Sequence, residues 1–342
     1  MSHQRFVFAM GLAAAVATIA TPASADTVEE VRAAGTVTCG VNGSRAGFSS
    51  LDSEGVWQGL DVDTCRAVAA AVLGDASATT FVRTTSATRF TALQSGEVDV
   101  LTRNTTQTFS RDGELGVDFA AITFYDGQGF MVPAELDVTT VEELDGAAIC
   151  VLPGTTAEQV VEAVFAERGM SYTPIVFQAA DELASAFFAG RCDAHIQSTS
   201  GLAATRSTLA DNPADWVIFD RVFDKDPMGP VVRQDDARWK DIVAWTVHAM
   251  VTAEEMGITS ENADEMRETG TETIKSMLGT GESDIGAPLG LSPDWVYQVI
   301  TQVGNYGEVF ERNLGSGSPL GLERGQNALW SDGGLIYAPP LR

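Results

Sequence analysis

Residues 147–156 read Ala-Ala-Ile-Cys-Val-Leu-Pro-Gly-Thr-Thr, and this stretch decides the fold. Its apolar first part, 147–152, is typical of a buried strand, and an amphipathic run typical of a helix follows over 155–168. The alternation continues with a strand at 172–177, a helix at 181–189 and a strand at 193–197. Short strands that alternate with helices predict a parallel sheet with right-handed crossovers.

The first third of the chain has the same order of elements. The pattern predicts a strand at Val37–Val41, a helix at 63–73, a strand at 80–83, a helix around 90–94 and a strand at 98–101. Further along the chain, helices are predicted at 239–255 and 263–278. The tail after Gly286 is expected to pack on the first lobe, which contains this first third of the chain.

Connections rich in proline and glycine lie near residues 130 and 230. Two such crossings predict two α/β lobes. Residues 26–131 and 232–342 form lobe 1, and residues 132–231 form lobe 2. A cleft between such lobes, outside the carboxyl ends of the strands, is where ligands bind.

The N-terminus has the pattern of a secretory signal peptide. Arg5 precedes an almost wholly apolar run over residues 6–20, and Ala23-Ser24-Ala25 is a small-residue cleavage site. The alternative is a membrane anchor, but a run of about 15 residues is short of the roughly 20 that span a bilayer. The sequence therefore predicts residues 1–25 as a signal peptide cleaved after Ala25, and a protein exported into a bacterial periplasm.

The charge balance excludes several classes of partner. The 342 residues include 47 Asp and Glu against 21 Lys and Arg, a net charge of −26. A chain this acidic repels the phosphates of nucleic acids and the surfaces of anionic lipids. We therefore expect no nucleic-acid partner and no direct membrane insertion.

The four cysteines suit an oxidising compartment. Three pairings are possible. Cys39 ends a strand-like run, and Cys65 opens the helix that should pack on it. Cys150 lies in the strand at 147–152, and Cys192 lies at the turn into the strand that follows it. This context favours Cys39–Cys65 and Cys150–Cys192, with free buried thiols as the alternative.

Patterns that would indicate catalysis, a cofactor or a metal are missing from the sequence. It has no H-E-x-x-H, G-x-S-x-G or P-loop motif and no C-x-x-C pair. His195 lies in a strand and faces either the cleft or the opposite layer, and His248 is expected to fill a helix face. We expect no catalytic residue, no cofactor and no metal.

Two polar segments follow predicted strands. The first, residues 103–108, reads Arg-Asn-Thr-Thr-Gln-Thr and is followed by Arg111. A fixed guanidinium with hydroxyl neighbours suits a carboxylate, although a polar loop with a solvated arginine is the alternative. The second is Gly154-Thr155-Thr156 at a helix start, where free N–H groups attract anions. Its alternative is an ordinary N-cap, with a capping box formed by Thr155 and Glu158.

Several strings, taken together, resemble one family along essentially the whole mature chain. The strings are residues 59–67 (GLDVDTCRA), 103–106 (RNTT), 125–132 (YDGQGFMV), 190–193 (GRCD), 304–308 (GNYGE), 324–327 (RGQN) and 333–335 (GGL). The chain is similar to the general L-amino-acid-binding proteins of bacterial ABC importers.

The resemblance implies an α/β fold of the type II periplasmic-binding-protein kind: two mixed sheets flanked by helices and joined by two hinge strands. It implies a binding protein that closes on an amino acid or similar carboxylate and then docks on a membrane permease. A monomer suits a cleft that must open and close.

The resemblance also implies the binding residues. Arg111 holds the place of the arginine that clamps the ligand α-carboxylate, with Thr106 assisting and Asn104 nearby. Thr156 and Thr155 correspond to the second-lobe hydroxyls. Ser198 stands where the family usually has an aspartate for the ligand ammonium, and Gln107 stands where it usually has tryptophan.

The missing aspartate predicts altered recognition of the α-amine. Serine offers a neutral hydrogen bond of about 1 kcal/mol in place of an ion pair. The ligand either lacks a free α-ammonium or carries it acylated or methylated. A plain amino acid remains an alternative if another acid, such as Asp193 or Asp118, reaches the amine.

Two other functions use the same scaffold. An enzyme, such as a dehydratase or lyase of a small carboxylate, needs a paired acid and base in the cleft, and the sequence shows no such pair. A sensor partner that presents its ligand to a receptor would have the same cleft.

Overall fold

A computed structural model of the chain describes residues 26–341, so the signal peptide predicted for residues 1–25 lies outside the described residues. The structure is of the mixed α/β class. It contains a five-stranded sheet, a six-stranded sheet and a small three-stranded sheet.

Residues 26–119 supply most of the first sheet. The elements are α1 (Thr27–Ala34), β1 (Val37–Val41), β2 (Ser44–Arg45), β3 (Ser49–Leu51), β4 (Trp57–Gln58), α2 (Leu60–Leu73), β5 (Thr79–Arg83), α3 (Arg89–Gln94), β6 (Val100–Leu101), α4 (Phe109–Glu114) and β7 (Val117–Phe119). Helix α2 begins three residues before the predicted start. Asp61 and Asp63 lie in its first turn, where their charges suit the helix dipole.

Residues 124–228 form the second sheet and its helices. The elements are β8 (Phe124–Pro133), β9 (Ala148–Val151), α5 (Thr156–Glu167), β10 (Thr173–Val176), α6 (Ala180–Phe188), β11 (Ala194–Ser198), α7 (Thr199–Leu209), β12 (Trp216–Ile218) and β13 (Lys225–Met228). Strand β8 is long because its first residues, Phe124–Gly127, pair with β13 before its later residues join the second sheet.

The chain then returns to the first sheet and ends in helices. The elements are β14 (Val231–Arg233), α8 (Ala237–Glu255), α9 (Ala263–Thr269), α10 (Glu272–Met277), α11 (Trp295–Gln302) and α12 (Tyr306–Asn313). The prediction of one helix over 263–278 is wrong. Gly270 has extended backbone between α9 and α10, and Thr271 caps the second helix.

The strand order confirms the parallel arrangement expected from alternating strands and helices. The first sheet has the order β5-β1-β6-β14-β7, and the second has the order β10-β9-β11-β8-β12, with β13 paired to β8. Strands β5, β1 and β6 are mutually parallel, as are β10, β9 and β11. The chain passes from the first sheet to the second between β7 and β8, and it returns between β13 and β14. The lobe boundaries at 131/132 and 231/232 stay a prediction.

Apolar side chains cover both faces of each sheet. The largest cluster joins the first sheet to α2, α8, α11 and α12, so the tail after Gly286 packs on the first lobe as expected. Two smaller clusters flank the second sheet. Each lobe has one disulfide, Cys39–Cys65 and Cys150–Cys192, which confirms the predicted pairing.

Candidate functional site

A small cavity lies between the two lobes and brings all the predicted site residues together. Asn104, Thr106, Arg111, Thr155, Thr156 and Ser198 all line it. The cavity has a volume of about 50 Å³. The lobes are therefore close together, and the polar groups that face the cavity lie within reach of one ligand.

Arg111 lies in α4 and reaches across the cleft. Its Nη1 donates to the Thr106 carbonyl at 2.8 Å, and its Nη2 donates to the Gly154 carbonyl of the second lobe at 3.2 Å. The guanidinium also lies over the Phe90 ring, 5.6 Å from the ring centroid. These contacts fix the orientation of a buried cation while leaving other N–H groups available.

The two hydroxyl groups of the Gly154-Thr155-Thr156 segment have different roles. Thr155 is the N-cap of α5 and accepts from the Glu158 N–H at 3.2 Å. Glu158 accepts from the N–H of Gly154 and not from that of Thr155, so the capping box is incomplete. The Thr156 hydroxyl lies 3.3 Å from that of Thr106 across the cleft. The cap interpretation therefore holds for Thr155, and Thr156 is the hydroxyl that meets the first lobe.

Asn104 is held by its backbone. It has a left-handed φ of 31°, and its N–H donates to Asp61 Oδ2 at 2.9 Å. Burial raises the pKa of Asp61 to about 7, although this hydrogen bond opposes the rise. The Asn104 Oδ1 is buried and, among residues 26–341, has no hydrogen-bond donor. Asn104 is therefore a cavity-lining residue with an unpaired acceptor in the described chain.

Arg45, Arg89 and Arg103 also line the cavity, and the sequence reasoning did not select them as binding residues. Arg89 donates to the Gly154 carbonyl at 3.2 Å, and Arg103 donates through Nε to the Thr84 carbonyl at 3.1 Å. Burial lowers the pKa of Arg103 to about 9, and repulsion from Arg45 adds to that effect. Only Arg103 had a sequence signal, because it opens the polar segment at 103–108.

Gln128 and Asp226 also line the cavity, and the sequence did not predict them as binding residues. Gln128 Nε2 donates to Asp226 Oδ2 at 2.7 Å and to the Thr156 hydroxyl at 3.1 Å. The Thr106 hydroxyl donates to the other oxygen of Asp226. Burial raises the pKa of Asp226 to about 6, against the effect of the Thr106 hydrogen bond. Gln128 lay within the string 125–132, whereas Asp226 carried no sequence signal.

Ser198 is placed at the end of β11, as its position after that strand predicts. Its hydroxyl accepts a hydrogen bond from Arg45 Nη1 at 3.0 Å. The two acids suggested for an amine lie elsewhere: Asp118 pairs with Lys240 at 3.2 Å, and Asp193 accepts from the Ala148 N–H at 2.8 Å. Asp226 is the carboxylate that lines the cavity.

His195 packs against Phe187 of α6 and does not line the cavity. Its ring lies 5.6 Å from the Phe187 ring, and within the described chain neither ring nitrogen has a hydrogen-bond partner. Burial lowers the pKa of His195 to about 3, and the charge of Arg45 adds to this effect. This histidine is a neutral core residue.

The cleft is strongly cationic although the chain as a whole is acidic. In the part of the chain that the structure describes, none of the four cleft arginines has a carboxylate oxygen within 4.0 Å of a guanidinium nitrogen. Among residues 26–341, Asp226 is the one acid that lines the same cavity. Buried cations without ion-pair partners favour an anionic ligand, because each guanidinium presents paired donors that fit a carboxylate.

Two features are absent from residues 26–341. Histidine, cysteine and acidic side chains do not gather there into a group of three that could hold a metal ion. No helix in the same range has both the length and the apolar character that a bilayer crossing requires.

Two α/β lobes that share a polar, cationic cleft and are joined by paired strands define a protein that captures a small ligand by closing on it. Residues 37–285 match the bacterial extracellular solute-binding proteins, family 3. The chain belongs to this family.

Three relatives show how far the similarity extends. The chain is 50% identical to the general L-amino acid-binding periplasmic protein AapJ of Rhizobium johnstonii, over 96% of this chain and 97% of the relative. It is 50% identical to the glutamate/glutamine/aspartate/asparagine-binding protein BztA of Rhodobacter capsulatus, over 97% and 98%. An ABC transporter periplasmic binding protein from Brucella ovis with glutathione bound superposes with a TM-score of 0.90 at 49% identity, over 93% and 100%.

These matches confirm the resemblance to the amino-acid-binding proteins of bacterial ABC importers and the type II fold. They extend along almost the whole chain, so they cover the residues of both lobes. The relatives are binding proteins, and the roles of individual cleft residues in this chain rest on the geometry above.

Proposed function

We propose that this chain is the periplasmic substrate-binding component of an ABC importer and that it captures an amino acid or an amino-acid-like carboxylate between its lobes. One observation carries the proposal: four arginines without ion-pair partners among residues 26–341 face one interlobe cavity. In this proposal Arg111 binds the ligand α-carboxylate through its remaining N–H groups. Thr106 and Thr156 add hydroxyl contacts, and the start of α5 adds its N–H groups.

Closure follows from contacts that both lobes make to the same groups. Arg89 and Arg111 of the first lobe donate to the Gly154 carbonyl of the second, and Thr106 meets Thr156. A carboxylate bound at this point touches both lobes, and it therefore stabilises the closed state relative to the open one. In the proposal the closed form then docks on the permease as a monomer, after the signal peptide is removed behind Ala25.

The hydrogen bonds of Asp226 argue for binding without catalysis. The raised pKa of Asp226 would suit a general acid or base. Its two oxygens, however, already accept hydrogen bonds from Thr106 and Gln128. We therefore assign no catalytic residue, cofactor or metal to the cleft.

Isothermal titration of the mature protein tests the proposal. The panel contains natural L-amino acids, N-acylated and N-methylated amino acids, amine-free carboxylates and glutathione, which is bound in the Brucella ovis relative. We expect at least one carboxylate to bind, and we expect Arg111→Met to weaken its binding at least 100-fold, because charge-assisted hydrogen bonds contribute about 1.5–3 kcal/mol each.

The matched control is Arg191→Met. Arg191 is exposed on the second lobe and lies over Phe177, away from the cavity. This variant should bind like the wild type. Binding that survives Arg111→Met unchanged, or a wild-type protein that binds nothing in the panel, would contradict the proposal.

A further inference from the structure

We infer that Arg45 and Ser198 form a second anion subsite, so that the cleft selects a ligand with two carboxylates, one at Arg111 and one at Arg45. The inference rests on the proposed function and assigns the chemical class of its ligand. Arg45 is therefore a specificity-determining residue of this chain.

The placement of Arg45 is specific. It ends the short strand β2 of the first lobe, and its Nη1 donates to the hydroxyl of Ser198 in the second lobe at 3.0 Å. Gly201 makes room for the guanidinium. An added Cβ at Gly201 would lie 2.0 Å from Arg45 Nη1 and 2.0 Å from Gln197 Oε1. The absence of a side chain at Gly201 therefore leaves space for Arg45, and the bond to Ser198 fixes the position of its guanidinium at the cleft.

No acid on the described chain neutralises Arg45 at close range. The acids that attract it from a distance are Asp126, Asp226 and Asp61. Asp126 accepts hydrogen bonds from Thr199 and Ser200. Asp226 accepts from Thr106 and Gln128, and Asp61 accepts from the Asn104 N–H. Each carboxylate is held by another partner, which leaves the planar donors of Arg45 free for a ligand carboxylate.

The polarity at Ser198 is the reverse of what an ammonium group needs. A ligand ammonium beside Ser198 would meet the Arg45 cation and a neutral hydroxyl. A carboxylate there would accept from both the guanidinium and the hydroxyl. Because like charges in a partly desolvated cleft repel strongly, this end of the cleft favours an anion.

Ligand nitrogen atoms have a different place to bind. Three residues that line the cavity have a buried side-chain oxygen with no donor within the described residues: Asn104 Oδ1, Gln128 Oε1 and Gln197 Oε1. Asp226 lies beside Gln128. A ligand with two carboxylates and N–H donors between them satisfies both sets of groups. Dicarboxylic amino acids and short peptides with two carboxylates have this chemistry.

Two ligand pairs that differ in one carboxylate test the inference by titration calorimetry. The pairs are L-glutamate with L-glutamine, and glutathione with its glycine monoethyl ester. We expect the wild type to bind the dicarboxylate at least 10-fold more tightly in at least one pair. Arg45→Gln should reduce that preference to within about 3-fold, and Arg45→Lys should retain part of it.

Arg83→Gln is the matched control, because Arg83 is an exposed first-lobe arginine that donates to Gly43 outside the cavity. It should keep the full preference. Circular dichroism checks that each variant is folded. A preference that survives Arg45→Gln, or equal wild-type affinity within both pairs, overturns the inference. If either of these results is found but Arg111→Met loses binding, the proposed function stands and only the second anion subsite is overturned. A wild type that binds no ligand overturns both the proposed function and the subsite.

Discussion

Gln128 Nε2 donates to Asp226 Oδ2 at 2.7 Å, and this bond joins the two strands by which the chain passes between the lobes. Gln128 belongs to β8 and Asp226 to β13, and the two strands pair antiparallel with Asp226 opposite Asp126. The hinge therefore contains a buried carboxylate at the base of the ligand cavity.

Asp226→Asn should raise the stability of the unliganded protein at pH 8 and have little effect at pH 4. Burial raises the pKa of Asp226 from 3.8 to about 6, and the nearby Asp126 adds to the rise. The folded protein therefore binds the Asp226 proton more tightly than the unfolded chain does. The contribution of Asp226 to the free energy of unfolding is thus fully present below pH 3.8, and it is lost as pH rises through about 6. Asparagine has nearly the same shape and no charge.

Differential scanning calorimetry at pH 4 and pH 8 measures the effect. We expect the Tm of Asp226→Asn at pH 8 to be several degrees higher than that of the wild type. Asp112→Asn is a control, because Asp112 is exposed on α4. Equal destabilisation of Asp226→Asn at both pH values would show that its hydrogen bonds outweigh the cost of its buried charge.

Gly201→Ala should weaken ligand binding at least 10-fold. The new methyl group would lie 2.0 Å from both Arg45 Nη1 and Gln197 Oε1, so at least one of these side chains must move. The matched control is Gly113→Ala, because Gly113 also lies in a helix but has nothing within 4 Å of its Cβ position. Alanine is the better helix former by about 1 kcal/mol, so this control should be neutral or stabilising.

Titration calorimetry with the ligand identified in the panel measures both variants. Affinity that falls equally in the two alanine variants would assign the loss to a general effect on the helices and not to the displacement of Arg45.

The sequence predicted the fold well because hydrophobic periodicity is a local signal. It placed Val37–Val41 correctly, and it failed at 263–278, where the break at Gly270 depends on how two short helices pack. The cleft was predicted in part. Arg111, Thr106 and Thr156 follow strand ends in polar segments, whereas Arg45 meets Ser198 across 153 residues of chain. No local pattern shows a contact of that range, since it exists only after both lobes have folded.

His195→Leu should reduce the loss of stability between pH 7 and pH 4.5. Burial lowers the pKa of His195 from 6.5 to about 3, so in this range the unfolded chain takes up a proton that the folded protein refuses. Stability from a buried neutral histidine is therefore present above pH 6.5 and is lost as pH falls below it. Leucine cannot titrate and leaves no buried ring nitrogen without a partner.

The measurement is the Tm difference between pH 7 and pH 4.5 for the wild type and for His195→Leu. We expect a smaller difference in the variant, with an unchanged or higher Tm at pH 7. An identical pH dependence in both proteins would mean that other groups control acid unfolding.

Removing either disulfide should destabilise the protein by several kcal/mol. Cys39 and Cys65 are 26 residues apart, and Cys150 and Cys192 are 42 residues apart. Loop-closure entropy gives about 3.5 kcal/mol for the first bridge and about 4 kcal/mol for the second.

Urea unfolding of the double variants Cys39→Ala/Cys65→Ala and Cys150→Ala/Cys192→Ala measures each effect. A loss below about 1 kcal/mol in both would mean that the reduced, unfolded chain is already compact. A larger loss for the first bridge would assign its extra contribution to packing between β1 and α2.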